Sequence, residues 1–138
     1  MPLITSLKVY SDGASIGNPG ASAIGVLILD QDNNPLEEYK ECLGTCTNNQ
    51  AEYSALIKAL DLSAKHCRRE VVCYLDSELV VRQLEGTYRL KNDNLRALFH
   101  QVKDKERPFK KVVYIHIPNS DQRIKKAHKL AHDALNGR

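Results

Sequence analysis

The chain has 138 residues, of which 42% are hydrophobic and 27% are charged, and its formal net charge is +3. This length suits one domain with its own core and is short for two, so we expect a single domain over residues 1–138. No stretch is apolar enough to span a bilayer and the N-terminus lacks a secretory signal pattern, which predicts a cytoplasmic protein with no membrane partner and no evident obligatory protein partner.

The first third of the chain predicts three strands. Residues 3–12 are apolar and β-prone, residues 23–29 form a continuous apolar run, and residues 36–43 alternate polar and apolar side chains. Residues 13–20 (GASIGNPG) predict a turn-rich loop, and residues 30–35 predict a tight turn. Three strands joined by short connections favour an antiparallel meander.

The rest of the chain predicts helices that alternate with strands. Helical spacing or a capping residue marks four segments: residues 48–66, residues 78–84 behind Ser77, the segment from Asn94 to about residue 103, and residues 121–136. Two short apolar segments predict strands: residues 71–76 and 112–117. Helices after the third and fourth strands imply crossovers and parallel pairing. The predicted fold is therefore α/β, a mixed five-stranded sheet flanked by helices in the order βββ-α-β-α-α-β-α.

Three acidic residues lie where such folds build sites. Asp12 and Asp76 each end an apolar strand, and Glu52 is in the first turn of the first long helix. Crowded carboxylates repel one another unless a cation lies between them, and their hard oxygen atoms suit Mg²⁺ or Mn²⁺. Position alone leaves a second interpretation equally open, because acids at helix starts are also favourable as caps.

Four sequence motifs favour the metal site over the helix caps. They are residues 10–20 (YSDGASIGNPG), 47–53 (TNNQAEY), 74–77 (YLDS), and 116–118 (HIP) followed by 127–131 (AHKLA). Together they resemble the type 1 ribonuclease H (ribonuclease HI) family, in the family's order and over nearly the whole chain. The resemblance implies the ribonuclease H-like fold. It also implies an endonuclease that hydrolyses the RNA strand of RNA–DNA hybrids and leaves 5′-phosphate and 3′-hydroxyl ends.

The resemblance also implies residue roles. Asp12, Glu52 and Asp76 are implied as catalytic metal ligands for two ions, with Asp12 bridging both. Contacts with the hybrid substrate are implied for Gly13, Ser15, Asn18, Thr47, Asn48, Asn49, Ser77, Lys91 and Asn92. Side chains that both donate and accept can bind a ribose 2′-hydroxyl, which distinguishes RNA from DNA. Asparagines also form turns, so that interpretation stays open for them.

The chain departs from the family at one position of the site. His128 stands where the family usually has a fourth acid. An imidazole binds Mn²⁺ better than Mg²⁺, so we expect a site of three acids and His128 with a relative preference for Mn²⁺. The alternative is a solvent-facing histidine. Asp133 would point elsewhere on its helix, and Asp121, in the preceding loop, is the other acid that could reach inward.

Three competing interpretations remain. A ribonuclease H fold with weakened catalysis would act as a module that binds hybrids or RNA. A 3′–5′ exonuclease is disfavoured, because those enzymes begin with an Asp-x-Glu pair and this chain has Asp12-Gly13-Ala14. A fragment of a polymerase-linked protein is also disfavoured, because a chain that starts at Met1 and ends on a helix suggests a free-standing enzyme.

Overall fold

The computed structural model describes residues 3–138, which form five strands and four helices in the order βββ-α-β-α-α-β-α. Their bounds are β1 (Ser6–Gly17), β2 (Gly20–Asp30), β3 (Pro35–Cys46), α1 (Asn48–Ser63), β4 (Glu70–Leu75), α2 (Glu78–Leu84), α3 (Asp93–Glu106), β5 (Lys111–His116) and α4 (Gln122–Leu135). In this part of the chain, no helix combines the length and the apolarity needed to cross a membrane.

The strands form one mixed sheet in the spatial order β3-β2-β1-β4-β5. The pairs β1–β2 and β2–β3 are antiparallel, whereas β4 is parallel to both β1 and β5. Connections through α1 and through α2 with α3 join the parallel strands, as a crossover requires. The predicted mixed five-stranded α/β fold and its element order are confirmed.

The prediction of a loop over residues 13–20 was wrong. Strand β1 continues to Gly17 and pairs with β2 from Gly20 onward, which leaves only Asn18 and Pro19 in the turn. Glycine, serine and asparagine are turn formers in isolation, but here pairing with the neighbouring strand determines the conformation. Asp12 is therefore an interior residue of β1 and not its last residue.

The two faces of the sheet pack against different helices. Leu7 and Val9 of β1 point into the larger core, which α1, α2 and α3 cover, whereas Tyr10 points to the opposite face, against α4. Helix α4 approaches that face closely, because a Cβ atom added at Gly25 would lie 2.0 Å from the carbonyl oxygen of Ala127. Alternation along β1 thus sends its side chains to two separate cores.

Each helix begins at a polar N-cap residue. Thr47 caps α1 in a reciprocal capping box with Gln50, and Ser77 caps α2, as predicted. Asn92 caps α3 by accepting the backbone N–H of Leu95, so the prediction of Asn94 as the cap was wrong by two residues.

Candidate metal centre and nucleic-acid interface

Strand register brings Asp12 and Asp76 together. Parallel pairing of β1 with β4 matches Tyr10 with Tyr74, and the two rings stack with their centroids 4.6 Å apart. Asp12 and Asp76 each lie two residues further on, so both carboxylates are expected on the face of the sheet that carries the tyrosines. Because β4 ends at Leu75, Asp12 lies beside the open end of β4. The topology thus creates an acidic pair that local sequence patterns indicate only by strand position.

Glu52 reaches the acidic pair from helix α1, on the opposite face of the sheet. It lies just after the first turn of α1, one position later than the predicted first-turn placement. A close approach of α1 to β1 makes this possible, because a Cβ atom at Gly13 would lie 2.3 Å from the carbonyl carbon of Ala51. The backbone N–H of Gly13 donates to Glu52 Oε1 at 3.1 Å. Gly13 therefore positions a site carboxylate, a role that its predicted contact with substrate did not include.

The three acids form one cluster. Asp12, Glu52 and Asp76 each offer an oxygen atom that lies within 4.8 Å of the other two. Burial, followed by repulsion from Asp12, raises the pKa of Glu52 well above its ordinary value. The same two causes, in the same order, raise the pKa of Asp76. The cluster therefore holds negative charge at a cost to the folded protein, and a cation would offset that cost.

The chemistry of this cluster fits a hard divalent cation. Glu52 is buried, and its Oε2 atom has no hydrogen-bond partner among residues 3–138. A buried carboxylate oxygen without a donor is costly unless a cation coordinates it. Three carboxylates with no sulfur ligand suit Mg²⁺ or Mn²⁺ better than a soft metal. Asp12, Glu52 and Asp76 are the residues that would hold it.

His128 contacts the cluster through Asp12. Its Nδ1 atom lies 2.6 Å from Asp12 Oδ2; the histidine side chain is 57% exposed, whereas that of Asp12 is 4% exposed. The ring of His132, one turn further along α4, lies beside that of His128 with a centroid separation of 4.2 Å. His128 therefore faces the site and is not merely a solvent-facing residue. The structure joins it to one carboxylate of the cluster.

Asp121 and Asp133, the two other acids near the site end of the chain, interact with groups outside the acidic cluster. Asp121 is the N-cap of α4 and accepts the backbone N–H groups of Arg123 and Ile124, so it does not reach inward. Asp133 lies 2.8 Å from Lys129 Nζ and is not among the three acids of the cluster. The helix cap explains the position of Asp121, because a carboxylate at an N-cap satisfies N–H groups that have no partner within the helix.

A polar groove begins at the start of α1. It has a volume of about 410 Å³ and is lined by Asn18, Thr47, Asn48, Asn49, Gln50, Asn92, Asn94 and Leu95. Five of the predicted substrate-contacting residues thus share one surface. Asn18 Oδ1 also accepts the backbone N–H of Asn48 at 3.0 Å, so this side chain fixes the helix start as well as lining the groove. Gln50 and Asn94 line the groove too, and local sequence patterns did not single them out for it.

Three further predicted contact residues lie outside that groove. Ser15 Oγ lies 2.6 Å from Ser22 Oγ, within the β1–β2 hairpin. Ser77 Oγ accepts the backbone N–H of Val80 at the start of α2, directly after Asp76. Lys91 is exposed in the segment before α3. Of these, Ser77 is next to the acidic cluster in sequence.

A second cavity, which sequence reasoning missed, adjoins the acidic cluster. Its volume is about 240 Å³, and its lining residues are Asp76, Asn119, Ile124, Lys125 and His128. Lys125 precedes His128 by three positions on α4, a spacing that places two side chains on the same side of a helix. That spacing was the available signal, but only the fold brings Asn119 to the same place.

Comparison with known proteins agrees with this architecture. A family described as reverse transcriptase-like matches residues 10–134. The chain is 35% identical over 129 residues to ribonuclease HI of Halobacterium salinarum. The aligned region covers 94% of this chain and 64% of that protein. It is also 35% identical over 128 residues to a bifunctional protein of Mycobacterium tuberculosis, over 92% of this chain and 35% of that protein. The chain thus spans less than two thirds of the length of these relatives.

Solved structures match more completely. RNase H1 of Halobacterium salinarum superimposes with a TM-score of 0.91 at 33% sequence identity, covering 96% of this chain and 99% of that one. LC11-RNase H1, solved in complex with an RNA/DNA hybrid, superimposes with a TM-score of 0.87 at 35% sequence identity. The match covers 95% of this chain and 97% of that one. On the fold, the order of its elements and these matches, the chain belongs to the ribonuclease HI family.

Proposed function

We propose that this protein is an endonuclease that hydrolyses the RNA strand of RNA–DNA hybrids with the help of two divalent cations, Mg²⁺ or Mn²⁺. The observation that carries the proposal is the cluster of Asp12, Glu52 and Asp76, whose oxygens lie within 4.8 Å of one another. Three buried or half-buried carboxylates at that separation have no evident structural purpose, and burial, followed by repulsion from Asp12, raises the pKa of Glu52.

The groove supports a hybrid as the substrate. Its asparagine side chains can donate to and accept from ribose 2′-hydroxyl groups and base edges in a shallow groove of the nucleic acid. LC11-RNase H1, which shares the fold at 35% identity, has been solved with an RNA/DNA hybrid. Asn18, Asn48 and Asn49 are the residues that we propose contact the RNA strand, with Thr47 and Asn92 beside them.

The acids would bind the cations and orient the reacting groups. When bound, two such ions activate a water molecule and stabilise the leaving oxygen of a phosphodiester. Asp12 is central because its carboxylate lies within 4.8 Å of those of Glu52 and Asp76 and also contacts His128. Glu52 is held in place by the N–H of Gly13, and Asp76 by its position at the end of β4. The proposed products carry 5′-phosphate and 3′-hydroxyl ends.

His128 completes the proposed site. A single Nδ1 atom cannot direct a proton at Asp12 and a lone pair at a cation at the same time. A ligand role therefore requires that Nδ1 be unprotonated, or that the ring turn to present Nε2. Either arrangement leaves the site with one negative charge fewer than a cluster of four acids. The second cation should therefore bind more weakly, and the imidazole nitrogen favours Mn²⁺ over Mg²⁺.

The test is a cleavage assay with a labelled RNA–DNA hybrid, an RNA duplex and single-stranded RNA, each with Mg²⁺ and with Mn²⁺. The proposal predicts cleavage of the hybrid within its RNA strand, dependent on the cation. Binding of the hybrid without cleavage in either metal would favour the catalytically weakened binding module instead.

A further inference from the structure

The cavity beside Asp76 differs in charge from the acidic cluster that it adjoins. Asp76, which belongs to the cluster, and His128, which contacts Asp12, line the cavity together with Asn119, Ile124 and Lys125. At about 240 Å³, the cavity has room for a phosphate group and part of a sugar. Apart from Asp76, its polar lining consists of side chains with N–H donors or positive charge, which is the chemistry of an anion site.

The lysine in this cavity is available for a ligand, whereas its neighbours on α4 are engaged. Lys126 Nζ lies 3.6 Å from Glu38, and Lys129 Nζ lies 2.8 Å from Asp133. Within residues 3–138, Lys125 forms no ion pair. Of the three lysines in this part of α4, Lys125 thus lines the cavity, while the other two are paired with acids. This contrast argues against a uniformly solvated basic face.

The location decides which anion the cavity would take. A phosphate that reacts at the Asp12–Glu52–Asp76 cluster must lie directly next to it, and this cavity opens at Asp76. Cleavage that leaves a 5′-phosphate keeps the reacted phosphate on the downstream RNA fragment. That group gains negative charge when the P–O bond to the upstream 3′-oxygen breaks, so a nearby ammonium group holds the product end more tightly than it holds the intact diester.

We infer that Lys125, assisted by Asn119, binds the phosphate at the cleavage position and holds the 5′-phosphate end of the RNA product. This inference rests on the proposed function of the same site and adds a specific residue to it. Lys125 offers a point charge on a flexible stem, and Asn119 offers an amide donor. Neither residue belongs to the acidic cluster, so both can be replaced without removing a carboxylate.

The direct test measures product binding in the absence of metal, where no cleavage occurs. Two nicked RNA–DNA hybrids, with either a 5′-phosphate or a 5′-hydroxyl at the nick, are titrated with the protein in EDTA and followed by fluorescence anisotropy. Lys125→Gln is expected to weaken binding of the 5′-phosphate hybrid by about fivefold to tenfold while leaving the 5′-hydroxyl hybrid nearly unchanged. Lys126→Gln removes the same charge from the same helix and is the matched control. An equal effect of both variants on both hybrids would overturn the inference.

A kinetic measurement separates this inference from the proposed function. With metal present, Lys125→Gln should lower kcat/KM for the intact hybrid by about tenfold relative to Lys126→Gln, and Lys125→Arg should recover most of the loss. If the parent protein binds hybrids but cleaves none, the proposed function fails, while the anisotropy comparison still tests the phosphate site. If the parent cleaves and Lys125→Gln matches the control in both experiments, only the phosphate site is refuted.

Discussion

The Nδ1 atom of His128 lies 2.6 Å from Oδ2 of Asp12, so a helix on one face of the sheet contacts the most central carboxylate of the site. The hydrogen bond engages one oxygen atom of a carboxylate that we propose holds the cations. It also puts an ionisable nitrogen where the family usually has an acid. The metal requirement of this chain is therefore the property most sensitive to residue 128.

Replacing His128 by Asp should restore the missing negative charge. We expect the concentration of Mg²⁺ that gives half-maximal cleavage to fall by at least about tenfold, because one added carboxylate near a divalent ion contributes several kcal/mol at short range. His132→Asp is the control, since it makes the same change one turn further along α4. If His128→Asp gains nothing with Mg²⁺ at any concentration, His128 is not part of the metal site.

The acidic cluster should destabilise the metal-free protein at neutral pH. Burial and mutual repulsion raise the pKa values of Glu52 and Asp76, so the folded state binds protons that the unfolded state releases. Their contribution to stability is fully present below the ordinary carboxyl pKa and is lost as the pH rises through the raised values. In EDTA, the contribution of these two groups to the free energy of unfolding should therefore increase as the pH falls from neutral toward about 5.

The same repulsion gives a prediction for Asp12→Asn. Removing one of the three charges should raise the Tm of the metal-free protein at pH 7 by about 3 °C or more, and should flatten its pH dependence. Thermal melts in EDTA, recorded at several pH values for both proteins, make the measurement. A variant that is less stable than the parent at every pH would show that the cluster does not carry the proposed repulsion.

Asn18 gives a way to separate substrate contact from helix capping. Asn18→Asp keeps the oxygen that accepts the Asn48 N–H but loses the amide donor and adds a negative charge near the nucleic acid. We expect an unchanged Tm and a KM for the hybrid that is higher by roughly tenfold. Asn18→Ala should also lose stability. Equal hybrid affinity in Asn18→Asp and the parent would remove Asn18 from the substrate site.

Because α4 packs closely on the sheet at Gly25, a larger side chain at that position should destabilise the fold. A Cβ atom at Gly25 would overlap the backbone of α4, so Gly25→Ala should lower the free energy of unfolding by about 2 kcal/mol or more and should displace His128 from Asp12. Gly86→Ala, where a Cβ meets open space but φ is +83°, should cost only about 1 kcal/mol. Urea denaturation of both variants distinguishes overlap from backbone strain.

Sequence alone predicts some of the helix, strand and site positions correctly and others incorrectly. Local patterns predict most helices and strands, with Asp76 at the end of a strand and Glu52 near the start of a helix. They place Asp12 at a strand end, whereas it lies inside β1. They do not predict that β1 continues to Gly17, because pairing with β2 is a non-local interaction that overrides the turn preference of residues 13–20. They also predict Asn94 and not Asn92 as the cap of α3, an error of two residues that arises because asparagine suits a helix cap at either position.

The site itself depends on distances that no local pattern contains. The resemblance to ribonuclease HI implied a shared role for the three acids, and the register of β1 with β4 explains how two of them meet. The hydrogen bond from Gly13 to Glu52 and the cavity that joins Asn119 to Lys125 arise only when segments distant in sequence pack together. Sequence therefore indicated the chemistry, and packing determined which neighbours surround it.

We propose that the cluster of Asp12, Glu52 and Asp76 performs metal-dependent cleavage of an RNA–DNA hybrid. The most direct measurement compares the parent with Asp12→Asn, following both cleavage of a labelled hybrid with Mn²⁺ and hybrid affinity in EDTA. We predict that the parent cuts the RNA strand and leaves 5′-phosphate ends, whereas Asp12→Asn falls to near background and binds the hybrid at least as well. Cleavage by Asp12→Asn at the rate of the parent would show that the acidic cluster is not the catalytic site.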